Sequence, residues 1–162
     1  MDLAINHKDI IKKVAVSSTC AKMNSNDYLK IEELINLSNI NNEELTLSFC
    51  KKIYPNDFYV KNKNLFIEYA KTITDYDLNR FIICAKALKD FDILDKLHLI
   101  DKPFMIFHDK KDELIKIDRL NEIESRIDRS YFNKFIYDGF GHVLYDMTPD
   151  FQKRLLDFFL EE

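Results

Sequence analysis

Two short loops hold the residues with the most chemical reach. His108-Asp109-Lys110-Lys111-Asp112 follows the apolar run Phe104-Met105-Ile106-Phe107, and Asp138-Gly139-Phe140-Gly141-His142 follows the segment Tyr131 to Tyr137. A carboxylate that orients and charges an imidazole is the acid-base half of a hydrolytic triad. Asp112 and His142 are the candidates for that pair. They lie far apart in sequence, but if the two preceding segments are neighbouring parallel strands, both loops emerge at one edge of the sheet. Strands in a sheet lie about 4.8 Å apart, so side chains from such loops meet. Gly139 and Gly141 are the two glycines of the whole chain, and they permit a tight loop that aims the ring back over the sheet edge.

Other readings of these residues stay open at this point. Acidic residues and a lone histidine in loops are often simply solvated. His108, Asp109, Asp112 and His142 offer mixed carboxylate and imidazole ligands for a divalent ion, although their spacing matches no closed metal site. The sequence therefore assigns neither a metal nor a cofactor. With no glycines elsewhere, the chain contains no GxGxxG fingerprint, no Walker-type phosphate loop and no GxSxG nucleophile elbow. Ser17, Ser18 and Cys20, after the first apolar run, are the internal candidates for a replacement nucleophile. Cys20 is the best of them chemically, but it has no Gly-flanked turn, and a buried thiol is the commoner state.

The elements that would position these loops are readable from periodicity. Met1 to Lys8 is helix-like, and Val14-Ala15-Val16-Ser17-Ser18 reads as a buried strand. Tyr28 to Leu37, Glu43 to Tyr54, Asn64 to Ile73 and Asp77 to Leu88 repeat apolar residues at three and four, an all-helical insertion. Asn24-Ser25-Asn26, Ser38 to Asn42 and Pro55-Asn56-Asp57 supply turn and N-cap chemistry between these helices. Phe104 to His108 is a continuous apolar run of the kind found where both sheet faces are covered. Leu114, Ile117, Leu120, Ile123 and Ile127 predict one amphipathic helix, and Tyr131 to Tyr137 another strand. Thr148-Pro149 predicts an N-cap with proline at the first helical position, opening a last helix whose Phe151, Leu155, Phe158 and Phe159 face inward. Strand, helix, strand, helix is the order of a parallel α/β unit.

Composition narrows the function classes. The 162 residues carry 24 basic against 28 acidic side chains, net −4, which gives no surplus for nucleic acid. No stretch approaches the roughly 18 apolar residues of a membrane helix, and the first residues have no apolar core of signal-peptide length, so the expectation is a soluble, cytoplasmic chain without nucleic-acid or membrane partners. Cys20, Cys50 and Cys84 form no CxxC motif and read as reduced, mostly buried thiols.

Several segments, in order along the chain, resemble the α/β-hydrolases. KPFMIFHDKKDELI, ending at Ile115, is similar to the strand and acid loop of that family, where an apolar strand ends in a His-Gly-x-x-Asp pattern. GFGHVLYDMTP, from Gly139 to Pro149, resembles its histidine loop and the start of its final helix. His7 to Ser18 resembles the strand after the nucleophile helix, and Lys86 to Leu99 the return from the helical cap to the core. The resemblance implies Asp112 as triad acid and His142 as general base, with Asp109 at a position where the family usually has glycine. It implies that the oxyanion loop and nucleophile elbow would precede Met1.

The expected architecture is thus α/β: an incomplete parallel sheet of about three strands with flanking helices, residues 1–20 and 91–162 forming a partial core, and residues 21–90 an all-helical cap or lid insertion. By resemblance, aromatics of the insertion such as Phe49, Tyr54, Phe66 and Tyr76 would line a substrate pocket or pack the cap. The expected function is that of the C-terminal portion of a serine hydrolase acting on an ester, thioester or lactone. Such a chain carries acid and histidine without the nucleophile and is inactive alone. The competing expectation is a non-catalytic truncated or split module that associates with itself or another chain through an exposed sheet edge.

Overall fold

The computed structural model describes residues 1–161. The chain divides into two compact units, one made of Met1–Lys22 together with the chain from Asp92 onward, the other of Met23–Phe91.

The first unit is built on a three-stranded parallel sheet in the order β1-β2-β3, with β1 at Val14–Ser17, β2 at Phe104–Asp109 and β3 at Phe132–Tyr137. β2 is the central strand. Phe104, Ile106, Phe107, His108 and Asp109 on it are all 0% exposed, which is why the segment reads as an unbroken apolar run rather than an alternating one. In the register, Ser17 pairs with Phe107 and Asp109 with Tyr137, so the last residues of all three strands lie along one edge. Leu120 and Ile123 of a short helix and Leu144 are also fully buried, and burying each of these large side chains contributes about 1.5–3 kcal/mol.

Helix α1 is Asp2–Asn6, and a 3-10 helix at Leu94–Leu99 leads into β2. The helix between β2 and β3 is shorter than the spacing predicts: α6 spans Asp118–Glu124, whereas Leu114 and Ile115 are buried in a turn. Their amides are taken by the Asp112 carboxylate, which replaces the helical hydrogen bonds they would otherwise need. The proposed Thr148-Pro149 cap is also corrected. Thr148 donates its hydroxyl to the Leu144 carbonyl, closing a one-turn helix α7 at Leu144–Met147, and the last helix, α8, spans Phe151–Leu160 with Asp150 at its N-cap position. Phe151 and Phe158 face inward as expected, but Phe159 is 48% exposed, because it stands one position past the buried stripe. Lys13 donates to the Phe158 carbonyl at 2.9 Å, holding the end of α8 near the start of β1.

The second unit is all helical: α2 Ser25–Ser38, α3 Asn42–Ile53, α4 Asn56–Ala70 and α5 Asp75–Ala87. Asn24 and Asn41 cap α2 and α3 through their side-chain oxygens, and Thr74 with Asp77 forms a capping box on α5. The Pro55-Asn56-Asp57 turn is instead the opening of α4, one turn and more before the apolar repeat begins. Proline at the N-cap has no N–H to leave unpaired there. Tyr54 stacks on Phe58 and Phe66 with ring centroids 4.9 and 5.4 Å apart, and Phe49 meets Phe81 edge-on. These rings pack the helices together, while Tyr69 and Tyr76 are exposed. Among the described residues no helix is long and apolar enough to cross a membrane.

Candidate active site

The parallel register delivers two loops to the carboxyl edge of the sheet. After β2 the chain turns through Lys110 and Lys111 to Asp112, and Lys110 N–H donates to the Tyr137 carbonyl at 3.1 Å, continuing the β2–β3 ladder into the loops. After β3 the chain passes Gly139 and Gly141, whose φ values of +103° and +75° lie where a side chain is strained. This backbone path returns His142 to the β2 loop. His142 Nδ1 lies 2.8 Å from Asp112 Oδ2.

The pair is asymmetric in its surroundings. Asp112 is completely buried, whereas the His142 side chain keeps 25% of its surface. Asp112 Oδ1 accepts from Leu114 N–H and Ile115 N–H, each at 2.9 Å, leaving Oδ2 for the imidazole. Opposite an ionised carboxylate, which only accepts hydrogen bonds, a neutral imidazole donates from Nδ1 and keeps its lone pair on Nε2. Such an imidazole is oriented to take a proton at Nε2, with the carboxylate stabilising the charge that forms.

Asp109, also completely buried, accepts from Lys111 N–H and Gly139 N–H on Oδ1 and from Phe140 N–H on Oδ2. His108 is fully buried beside the pair; among the described residues no donor or acceptor meets its ring nitrogens in full hydrogen-bonding geometry, although the Ile115 backbone lies near enough to favour its charged form. Burial holds its pKa below the ordinary imidazole value, a tendency that the nearby Asp112 charge opposes. Among the described residues no three His, Cys, Asp or Glu side chains are grouped as a metal ion requires. Three backbone amides occupy the Asp109 carboxylate, and His108 lies within the packed sheet.

Of the internal nucleophile candidates, Ser18 is the one with unusual backbone. Its φ is +47°, its N–H donates to the Phe107 carbonyl, and its buried Oγ has no hydrogen-bond partner. Cys20 is buried, at 6% exposure. Beneath the histidine loop lies an apolar base of Phe107, Tyr137, Leu144 and Phe151, with Phe107 and Phe151 meeting edge-on at 4.8 Å. Tyr137 Oη donates to Asp150, which also pairs with Arg154, whose guanidinium lies 3.6 Å from the Phe135 ring centroid.

No family model matches the sequence, and no curated protein matches it. Solved structures do. An α/β hydrolase enzyme from a Medee basin deep-sea metagenome library superposes with a TM-score of 0.88 at 19% identity, over 99% of this chain and 60% of that one. The enol-lactonase from Burkholderia xenovorans LB400 matches at 0.73 and 16%, over 98% and 60%. A 2-hydroxy-6-oxo-6-phenylhexa-2,4-dienoate hydrolase from Rhodococcus sp. strain RHA1 matches at 0.75 and 14%, over 99% and 59%. The chain has the α/β-hydrolase fold. It spans about 60% of the length of these structures. In open α/β sheets, ligands gather outside the carboxyl ends of the strands, the edge at which the α/β-hydrolase fold of this chain holds Asp112 and His142.

The sequence pattern places His108 at the end of a strand covered on both faces and brings the Asp112 and His142 loops to one edge, but it does not show the amide contacts of Asp109. His108 and Asp109 both continue the apolar run of β2, and a polar residue prolonging a strand buried on both faces is itself a signal that its side chain has dedicated surroundings.

Proposed function

We propose that this chain is the carboxyl-terminal portion of a serine hydrolase acting on an ester, thioester or lactone, with Asp112 as the triad acid, His142 as the general base, and residues 21–90 as its cap or lid. The observation that carries this reading is the 2.8 Å contact between the buried Asp112 carboxylate and the partly exposed His142 ring at the carboxyl edge of the sheet. The lactonase and hydrolase activities in the names of two similar structures support the choice of acyl chemistry.

In the complete reaction, His142 Nε2 takes the proton of a serine hydroxyl as the oxygen attacks the acyl carbon. It then returns that proton to the departing alcohol or thiol, leaving an acyl-serine. Water, deprotonated by the same nitrogen, releases the acid and restores the serine. The serine and its oxyanion donors are assigned to the part of the fold outside these residues. An acid-base pair without them loses most of the rate enhancement, because the members of a triad act as a unit. The isolated 162-residue protein is therefore expected to give no burst of product from an activated aryl ester. A stoichiometric burst from correctly sized protein would overturn the assignment.

A second reading is favoured by β1, which among the described residues pairs with β2 alone and has all four residues half-buried. A strand edge of this kind takes up another strand. In that reading the chain is a non-catalytic split or truncated module that associates with a partner chain or with itself. Sedimentation as a clean monomer with cooperative unfolding contradicts it.

A further inference from the structure

Asp109 is hydrogen-bonded to backbone amides rather than to an imidazole, yet it is as deeply buried as Asp112, at 0% exposure. A carboxylate at that depth persists only where its oxygens are hydrogen-bonded. Its three donors are backbone N–H groups drawn from both loops: Lys111 at 2.7 Å, one residue before Asp112, and Gly139 at 3.2 Å and Phe140 at 2.9 Å, three and two residues before His142. The left-handed φ of Gly139 lets consecutive amides converge on one anion, an arrangement that forms an anion-binding concavity. Here the anion is the protein's own side chain. Besides the Asp112–His142 contact, Lys110 and Lys111 pair with Asp138 across the loops, but these are exposed ion pairs, a class that contributes little.

We infer that Asp109 is a positioning residue: its carboxylate joins the histidine loop to the acid loop and so holds His142 Nδ1 against Asp112 Oδ2. This rests on reading Asp112 and His142 as an acid-base pair. A glycine, which the resemblance places at this position, has no acceptor to offer the two amides, so this chain builds its site through a contact that such a glycine lacks.

The test reads the tautomer of His142 from imidazole nitrogen shifts in 15N-labelled protein, with the resonances assigned by His142→Gln. In the native protein the Nδ1-protonated form is expected. Asp109→Asn is expected to abolish that signature in protein that remains folded, since an amide nitrogen there faces another N–H donor. Asp138→Asn, which removes only the exposed pairs, should leave it intact. A merely structural Asp109 would lower the unfolding midpoint without altering the tautomer of the folded fraction. An Nδ1-protonated ring in folded Asp109→Asn overturns the inference while leaving the acid-base pair standing. A native ring without Nδ1–H refutes the pair itself. If Asp109→Asn does not fold, Asp109→Gly carries the same expectation. Should neither fold, amide exchange in the native protein decides: Gly139 and Phe140 protected to the level of Leu114 and Ile115 support the clamp, and exchange at the rate of exposed loop amides overturns it.

Discussion

Replacing Asp112 separates what its two oxygens do. Oδ1 accepts from the amides of Leu114 and Ile115, residues that are each 6% exposed, while Oδ2 faces His142, which reaches solvent. Asp112→Asn keeps one oxygen for the two amides, so each bond falls from charge-assisted to neutral, a loss of about 1 kcal/mol apiece and about 2 kcal/mol together. Asp112→Ala leaves both amides buried without an acceptor, at about 1–3 kcal/mol each, or about 2–6 kcal/mol together. With a urea dependence of roughly 2 kcal/mol per molar, Asp112→Asn is expected to lower the midpoint by about 1 M and Asp112→Ala by about 2 M, within about 1–3 M. Unfolding should be followed through the amide resonances of Phe104 to Asp109, so that the sheet unit is read and the helical unit is not. Asp112→Asn should also turn the His142 ring to the opposite tautomer, because the amide NH2 then faces Nδ1 as a donor. Equal midpoints for the two variants would refute the reasoning, since they would mean that the Leu114 and Ile115 amides do not depend on this carboxylate.

Three further outcomes are expected. Burial lowers the pKa of His108 from its ordinary 6.5, so the unfolded state binds a proton that the folded state refuses. Stability should then be fully present above about pH 6.5 and fall as the pH drops toward the depressed value, by at most about 1.4 kcal/mol per pH unit, and His108→Gln should flatten that slope in urea titrations. Ser18→Gly relieves a left-handed backbone worth about 1–2 kcal/mol and removes an unpartnered buried hydroxyl, against about 0.5–1 kcal/mol of added unfolded-state entropy. A raised urea midpoint is expected, and a lowered one would show that Ser18 makes a contact worth more than its strain. Cys84 is exposed whereas Cys20 and Cys50 are buried, and burial pushes the Cys50 thiol up to about 11. A disulfide reagent at neutral pH should therefore modify Cys84 rapidly, with Cys20 and Cys50 reacting only on unfolding, as mapped by peptide mass.

The sheet and the meeting of the two loops at one edge were legible because each rests on a local signal that tertiary packing reinforces. Phe104 to Phe107 has the unbroken apolar pattern of a strand covered on both faces, and loops following parallel strands share an edge. Where reading failed, side chains redirected the backbone. Leu114 and Ile117 keep a helical spacing with Leu120, yet the Asp112 carboxylate captures the amides of Leu114 and Ile115 and delays the helix to Asp118. Thr148 had the right neighbours for a cap, but its hydroxyl found the Leu144 carbonyl one turn back. The role of Asp109 depends on amides thirty and thirty-one positions away, and no periodicity encodes a contact of that kind.

The most direct test of the central claim, that Asp112 and His142 serve a serine lying outside these residues, uses protein captured from the source cell with an antibody against Phe151–Leu160. The captured material is treated with a fluorophosphonate probe, which labels activated serines, and then sized. Label is expected on a polypeptide clearly larger than 19.3 kDa, or on a second chain that co-precipitates with a 19.3 kDa one. Label on the 19.3 kDa chain itself, mapped to a serine within it, would contradict the account.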